Sequence, residues 1–178
     1  MRKDIEKIII SENEIKMRVD ELAKKIDAEY SEKNPVVVCI LRGAIFFATD
    51  LTKELSIPLE IDFMSLSSYG DSTKSSGVVK IKKDIDTDIT KRHVIIVEDI
   101  VDTGLTLKYI NDYFEKHNPA SIKICTLLDK PNAHKTDLKI DYVGFDVGNE
   151  FVVGYGLDFA QKYRNLPFIG ILKKEIYS

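Results

Sequence analysis

The sequence is poor in the features that define several protein classes outright. It has two cysteines, Cys39 and Cys125, each inside an apolar run. Two are too few for a disulfide framework or a zinc framework, and apolar surroundings suit buried free thiols. No apolar stretch is long enough to span a bilayer, since a spanning helix needs about 20 such residues. The opening MRKDIEKIII breaks its short apolar run with charges, so a secretory leader is not expected. A reducing, cytoplasmic setting is the simplest expectation. Charge of one sign is missing too: 26 Lys and Arg against 29 Asp and Glu leave a net −3. That balance gives no electrostatic reason to expect nucleic acid as a partner, and no membrane partner is expected. There is no internal repeat, low-complexity tract or linker, and no G-x-G-x-x-G loop. The last absence argues against an ordinary dinucleotide-binding domain. The 178 residues suit one domain, 1–178, large enough for a real core.

What is present centres on VIIVEDIVDTGLTL, Val94 to Leu107. Val94 to Val97 has no polar face and reads as a strand buried on both sides, as in a parallel sheet. Glu98 and Asp99 follow at once, then Asp102, Thr103, Gly104 and Thr106. Leu107, Ile110 and Phe114 then recur at helical spacing. Acids, hydroxyls and a glycine therefore gather at the carboxyl end of a central strand, where open α/β sheets bind ligands. Gly104 allows close backbone approach, and free N–H groups at the next helix start suit a phosphate. A phosphate alone would be repelled by three carboxylates. Neighbouring acids beside a phosphate loop point to ribose hydroxyls, or to a metal ion bridging to more phosphate. An ordinary turn with Asp102 as a helix cap explains one acid and leaves two unexplained.

Other stretches fall into order around this one. Lys7 to Ile10 reads as a short strand. Ser11 and Glu14 form a capping-box pattern ahead of a helix whose apolar face is Ile15, Val19, Leu22 and Ile26. Val36 to Leu41 reads as a second buried strand, closed by Arg42 and Gly43, with an apolar helix to about Leu55. By itself Arg42-Gly43 is equally a plain turn or a place of close ligand approach. Leu59 to Leu66 and Val78 to Ile81 read as strands. The polar run between them, Ser67 to Gly77, is either a disordered loop or a lid. Lys82 to Arg92 reads as a solvated connection. Ser121 to Leu128 is a further strand, followed by a surface loop, Asn132 to Lys139, with His134 exposed. Asp141 to Phe145 and Phe168 to Leu172 complete the strands. On pattern alone Lys130 is solvated and Phe151 is a core aromatic.

The central stretch resembles the phosphoribosyl-pyrophosphate (PRPP) signature of type I phosphoribosyltransferases. The chain from about Ile8 to Ile171 is similar to the hypoxanthine-guanine phosphoribosyltransferase family. The resemblance implies an α/β fold: a mostly parallel central sheet with helices on both faces. A small hood would come from N-terminal residues and about 148–178. It implies a purine-salvage transferase that moves the 5-phosphoribosyl group from PRPP to hypoxanthine and/or guanine. The products would be IMP or GMP and pyrophosphate, with Mg2+ as cofactor.

The same resemblance implies roles for particular residues. Glu98 and Asp99 would hold the ribose hydroxyls, and the loop of Asp102, Thr103, Gly104, Leu105 and Thr106 the 5′-phosphate. Asp102 would lie near the purine N7 and handle its proton. Leu41-Arg42-Gly43 matches the pyrophosphate loop, where the peptide before the basic residue is often cis and lysine often stands in place of Arg42. Arg164, in YRNLP, would hold pyrophosphate. Lys130 would donate to the purine 6-oxo group. Phe151, in FVVGYG, would stack on the base, and the Val152 backbone would bond its edge. Asp158 would lie near base position 2 and reach a magnesium through water, with Glu98 and Asp99 acting on the metal indirectly. Ser68 and Tyr69 would belong to a closing loop. Homodimers or homotetramers are implied as well. A regulatory protein that keeps this fold would want a basic stripe and has no need of Lys130, Phe151 and Arg164.

Overall fold

The computed structural model describes residues 1–68 and 79–177. β1 (Ile5–Ile10) leads to α1 (Glu12–Tyr30), which starts where the capping box places it. The Ser11 hydroxyl accepts from the Glu14 amide, and the Glu14 carboxylate accepts from the Ser11 amide. Ile15, Val19, Leu22 and Ile26 are all buried, together with Ala23 and Tyr30. At about 1.5–3 kcal/mol for each large apolar side chain, that stripe and not the cap decides where the helix lies.

The remaining elements are β2 (Val36–Leu41), α2 (Ile45–Glu54), β3 (Glu60–Ser68), β4 (Val79–Lys83), β5 (His93–Val101) and α3 (Leu105–Glu115). They continue with β6 (Ser121–Asp129), β7 (Tyr142–Asp146), β8 (Val152–Val153), β9 (Ile169–Leu172) and α4 (Lys174–Tyr177). Six strands form one sheet in the order β4-β3-β2-β5-β6-β7. All neighbours run parallel except the β3–β4 pair. Alternation along the strands splits the core in two. Val37, Cys39, Ile95, Val97, Cys125 and Leu127 pack under α1 and α2. Val36, Val38, Ile40, Val94, Ile96 and Ile124 pack against Leu107, Ile110 and Phe114 of α3. Helices thus cover both faces, as the unbroken apolar strands demand. β1, β9 and β8 form a separate three-stranded antiparallel sheet from the two ends of the chain. Cys39 and Cys125 are buried free thiols. Among the described residues, no helix is long and apolar enough to cross a membrane.

Two readings of the sequence need correction. The segment from Lys82 to Arg92 is not simply solvated: Ile89 is buried against the α3 side of the core. The buried Asp62 carboxylate accepts from the amides of Asp86 and Thr87, both at 2.8 Å. A charged composition hides the buried Ile89 and the partly buried Ile85 that packs on the same cluster. The central strand also runs further than its apolar stretch, so Glu98 and Asp99 lie within β5. Ladder bonds to β6 continue as far as Val101↔Asp129 and hold the acids in extended backbone.

The chain passes from β2 outward to β3, then returns to place β5 on the other side of β2. The carboxyl ends of β2 and β5 therefore flank a topological switch point, where connections diverge and leave a crevice. Pairing of β2 to β5 stops at Cys39↔Val97. From Glu98 onward, β5 faces the β2–α2 turn instead of a strand.

Candidate active site

Two turns and the last part of β5, distant in sequence, meet in that crevice. Gly43, after β2, lies directly under Asp99: a Cβ there would come within 1.5 Å of Asp99 Oδ2. Gly156 has φ +104, and a Cβ on it would stand 1.9 Å from the Gly43 carbonyl oxygen. Glycine is thus required twice for packing, at the two places where loops cross. The peptide joining Leu41 to Arg42 is cis.

Glu98 is buried, with its carboxyl held well above the usual range by burial and then by the charge of Asp99. Asp99 is raised too, mainly by burial, against the pull of the Ile100 amide and of Arg164. The same acids add to burial in pushing the Cys39 thiol up to about 12. Two adjacent acids with little cationic compensation store repulsion, which a diol or a nearby cation relieves. Beyond them Asp102 is exposed, and Gly104 takes the left-handed conformation (φ 77) that opens α3. Thr103 is half-buried, while Leu105 and Thr106 are exposed at the first turn of α3. The first N–H groups of α3, which no helix residue accepts, therefore lie at the turn that follows the acids.

Arg42 and Arg164 come together at the turn that carries Gln161. Arg164 donates to the Gly156 carbonyl at 2.6 Å and pairs with Asp158 at 2.7 Å. Arg42 donates to the Gln161 side-chain oxygen at 2.9 Å, and Arg164 donates to the same oxygen at 3.4 Å. One neutral acceptor therefore joins two guanidinium groups. Gln161 carries no signature in the sequence, and only its place in the folded turn singles it out. Both Asp158 carboxylate oxygens are engaged, one by Arg164 and one by the Gln161 amide at 2.8 Å. Among the described residues no group of three or more His, Cys, Asp or Glu is arranged to hold a metal. The oxygen donors Glu98, Asp99 and Asp158 fit a hard cation carried largely by substrate oxygens.

Lys130, at the end of β6, has its amide on the Val101 carbonyl at 2.9 Å and its ammonium 3.4 Å from the Glu150 carbonyl. Phe151 is not a core residue: it is 39% exposed. The Tyr177 ring stacks on it at 5.1 Å and Phe159 meets it edge-on at 5.7 Å. Tyr177 is a second neighbour that sequence reasoning missed, since nothing local links α4 to β8. The Phe151 carbonyl accepts from the Leu172 amide at 3.0 Å. Backbone groups alternate in direction along an antiparallel strand, so those of Val152 face the free edge of β8. Ser68 ends β3, and Tyr69 with the rest of the expected closing loop lies outside the described residues. His134 was expected to be exposed. It is tucked in instead, with Nε2 2.6 Å from the Asp129 carboxylate.

A sheet of this order, with an acid pair and a helix N-terminus at its switch point, defines an open α/β protein with a ligand crevice at the carboxyl ends of β2 and β5. Residues 7–160 match the phosphoribosyl transferase domain model, and the chain belongs to that family. It is 52% identical to a hypoxanthine-guanine phosphoribosyltransferase of Bacillus subtilis (strain 168) over 99% of this chain and 98% of that protein. The crystal structure of a hypoxanthine phosphoribosyltransferase from Staphylococcus aureus superposes with a TM-score of 0.97 at 44% identity. It covers 100% of this chain and 97% of that one. A hypoxanthine-guanine phosphoribosyltransferase from Bacillus anthracis, with a HEPES molecule in its active site, gives 0.91 at 48% identity. That match covers 95% of this chain and 99% of the other.

Proposed function

We propose that this protein transfers the 5-phosphoribosyl group of PRPP to a ring nitrogen of hypoxanthine and/or guanine, releasing pyrophosphate. The observation that carries the reading is the convergence of Gly43, Asp99 and Gly156 at the β2–β5 switch point. That convergence supports a reading in which the acid pair, the two arginines and the Lys130–Phe151 region serve one substrate.

Each side chain has a task in this chemistry. Glu98 and Asp99 accept from the ribose 2′- and 3′-hydroxyls, and the turn from Asp102 to Thr106 holds the 5′-phosphate on amides and hydroxyls. As C1′ becomes cation-like, charge builds on the departing pyrophosphate. Arg164 and the Arg42–Gly43 loop neutralise that charge. Asp158, with Glu98 and Asp99 acting less directly, would hold Mg2+ together with the substrate, and the ion would supply further charge neutralisation. Phe151 stacks on the purine, the free-edge backbone of Val152 bonds its rim, and Lys130 donates to the 6-oxo group. Asp102 handles the N7 proton. The three-stranded sheet of the chain ends acts as a hood over the base, within a single domain. Assembly as a homodimer or homotetramer in the cytoplasm belongs to the same proposal. The exposed Ile45, Phe46, Ile61 and Phe63 supply apolar surface for it. The test is direct: incubate the protein with PRPP, Mg2+ and each purine base, and separate the products. IMP and GMP are expected, with free pyrophosphate. No nucleotide from any base would sink the reading.

A further inference from the structure

The loop after β6 does more than join two strands. Its first amide, on Lys130, donates to the Val101 carbonyl at 2.9 Å. Five residues on, the Lys135 amide donates to the Thr103 carbonyl, also at 2.9 Å. These two acceptors flank Asp102. The next side chain, Thr136, rests against Gly104: a Cβ on that glycine would stand 2.5 Å from Thr136 Oγ1. The loop therefore clasps the phosphate turn from the outside and holds the backbone on both sides of its exposed acid. The clasp is closed by one side-chain contact. His134 Nε2 lies 2.6 Å from Oδ1 of Asp129, whose side chain is only 9% exposed. Among the described residues His134 is the side-chain partner of that carboxylate. Between the two lie Lys130 and the short 3₁₀ turn Pro131–Ala133.

We infer that His134 is a positioning residue. By pinning its loop to the rigid end of β6, it fixes two groups at once: the Asp102 backbone, through Val101 and Thr103, and the Lys130 side chain, which leaves from the pinned segment. The physical need is plain. Asp102 lies on an exposed turn, and proton transfer demands placement within hydrogen-bond reach. A displacement of about 1 Å from a change outside the reacting centre can cost about a hundredfold in rate. Backbone bonds to surface carbonyls open easily unless their loop is anchored. The His134–Asp129 contact joins the base-reading side of the crevice to the phosphate side through a few residues of chain.

This role rests on the transferase reading above, so its test has an arm that does not need activity. His134→Ala removes the anchor, and His134→Gln keeps a side-chain donor that can reach Asp129. Amide exchange by NMR on the ligand-free proteins should show the Lys130 and Lys135 amides losing protection about tenfold or more in His134→Ala. The amides of the β5–β6 ladder ahead of Lys130 should be unaffected, and His134→Gln should recover most of the loss. In the steady state, His134→Ala should lower kcat about tenfold and raise KM for hypoxanthine while KM for PRPP changes less, with His134→Gln again close to wild type. Unchanged protection of Lys130 and Lys135 in His134→Ala overturns the inference whatever the enzyme does. So does a loss of activity that His134→Gln fails to recover. A wild-type protein that makes no nucleotide, yet shows the exchange effect, would count against the transferase reading and leave the clasp standing.

Discussion

At the scale of single residues, two side chains carry the sharpest expectations. Asp102 is exposed between two anchored carbonyls, free to meet a base nitrogen. Asp102→Asn keeps its shape and removes its basicity. Turnover should fall by about 10²–10⁴-fold, the usual worth of a positioned proton-transfer group, while calorimetry finds PRPP binding intact. Near-normal turnover would take Asp102 out of the chemistry. Lys130 bears on base choice. An ammonium has donors only, so it can meet a 6-oxo group and not the 6-amino group of adenine. Leaving it unpaired costs about 1–3 kcal/mol, more for a charge, which is roughly tenfold to several hundredfold in rate. Wild type should therefore use hypoxanthine or guanine and use adenine negligibly. Lys130→Gln presents a donor and an acceptor and should narrow the ratio of kcat/KM between hypoxanthine and adenine. An unchanged ratio would move the reading of position 6 to the backbone near Val152.

At the scale of elements, the turn after β2 shows how packing and function share one atom. The side chain missing from Gly43 leaves the space that Asp99 occupies. Gly43→Ala therefore has to push the Asp99 carboxylate aside, and with it the acid pair. The fold itself should survive, because β2 and its core contacts end before the turn. PRPP affinity should drop at least about tenfold, as expected when a charged hydrogen-bond partner is lost, with little change in circular dichroism. Wild-type affinity in that variant would mean that Asp99 does not contact the sugar. The elements also mark what composition can hide. The charged segment before β5 holds Ile89 in the core and folds its turn around the Asp62 carboxylate. Two isoleucines, Ile85 and Ile89, among nine polar or charged neighbours are too few to show a period.

At the scale of the whole molecule, the acid pair sets stability against binding. Glu98 titrates above its ordinary 4.5 because of burial and the Asp99 charge. The folded chain thus keeps a proton that the unfolded chain has lost. Its favourable contribution is complete below about pH 4.5 and disappears as pH rises through the folded value. Glu98→Gln removes this loss. The ligand-free variant should melt at a higher temperature than wild type at about pH 8, with the difference shrinking toward about pH 4.5. Thermal melts across that range decide, and a difference independent of pH would show that Glu98 is not strained by its neighbour. The same variant should bind PRPP more weakly, the trade expected where a site stores repulsion.

The sequence by itself determined the elements and the faces they bury. The apolar run at β2, the capping box of α1 and the spacing of Leu107, Ile110 and Phe114 each report a local period, and each is buried as that period requires. It also determined the chemical types at the β5 turn, because acids and a glycine after an apolar strand are visible in a short window. Only the tertiary structure decided which turns meet. Asp99 against Gly43, Gly43 against Gly156, Gln161 between two arginines, Tyr177 on Phe151 and His134 on Asp129 are contacts set by strand order and by the paths of loops. Hydrophobic periodicity arises within one element, from burial that alternates along it. A contact between loops depends on where the sheet has carried each of them, and no local window of residues encodes that.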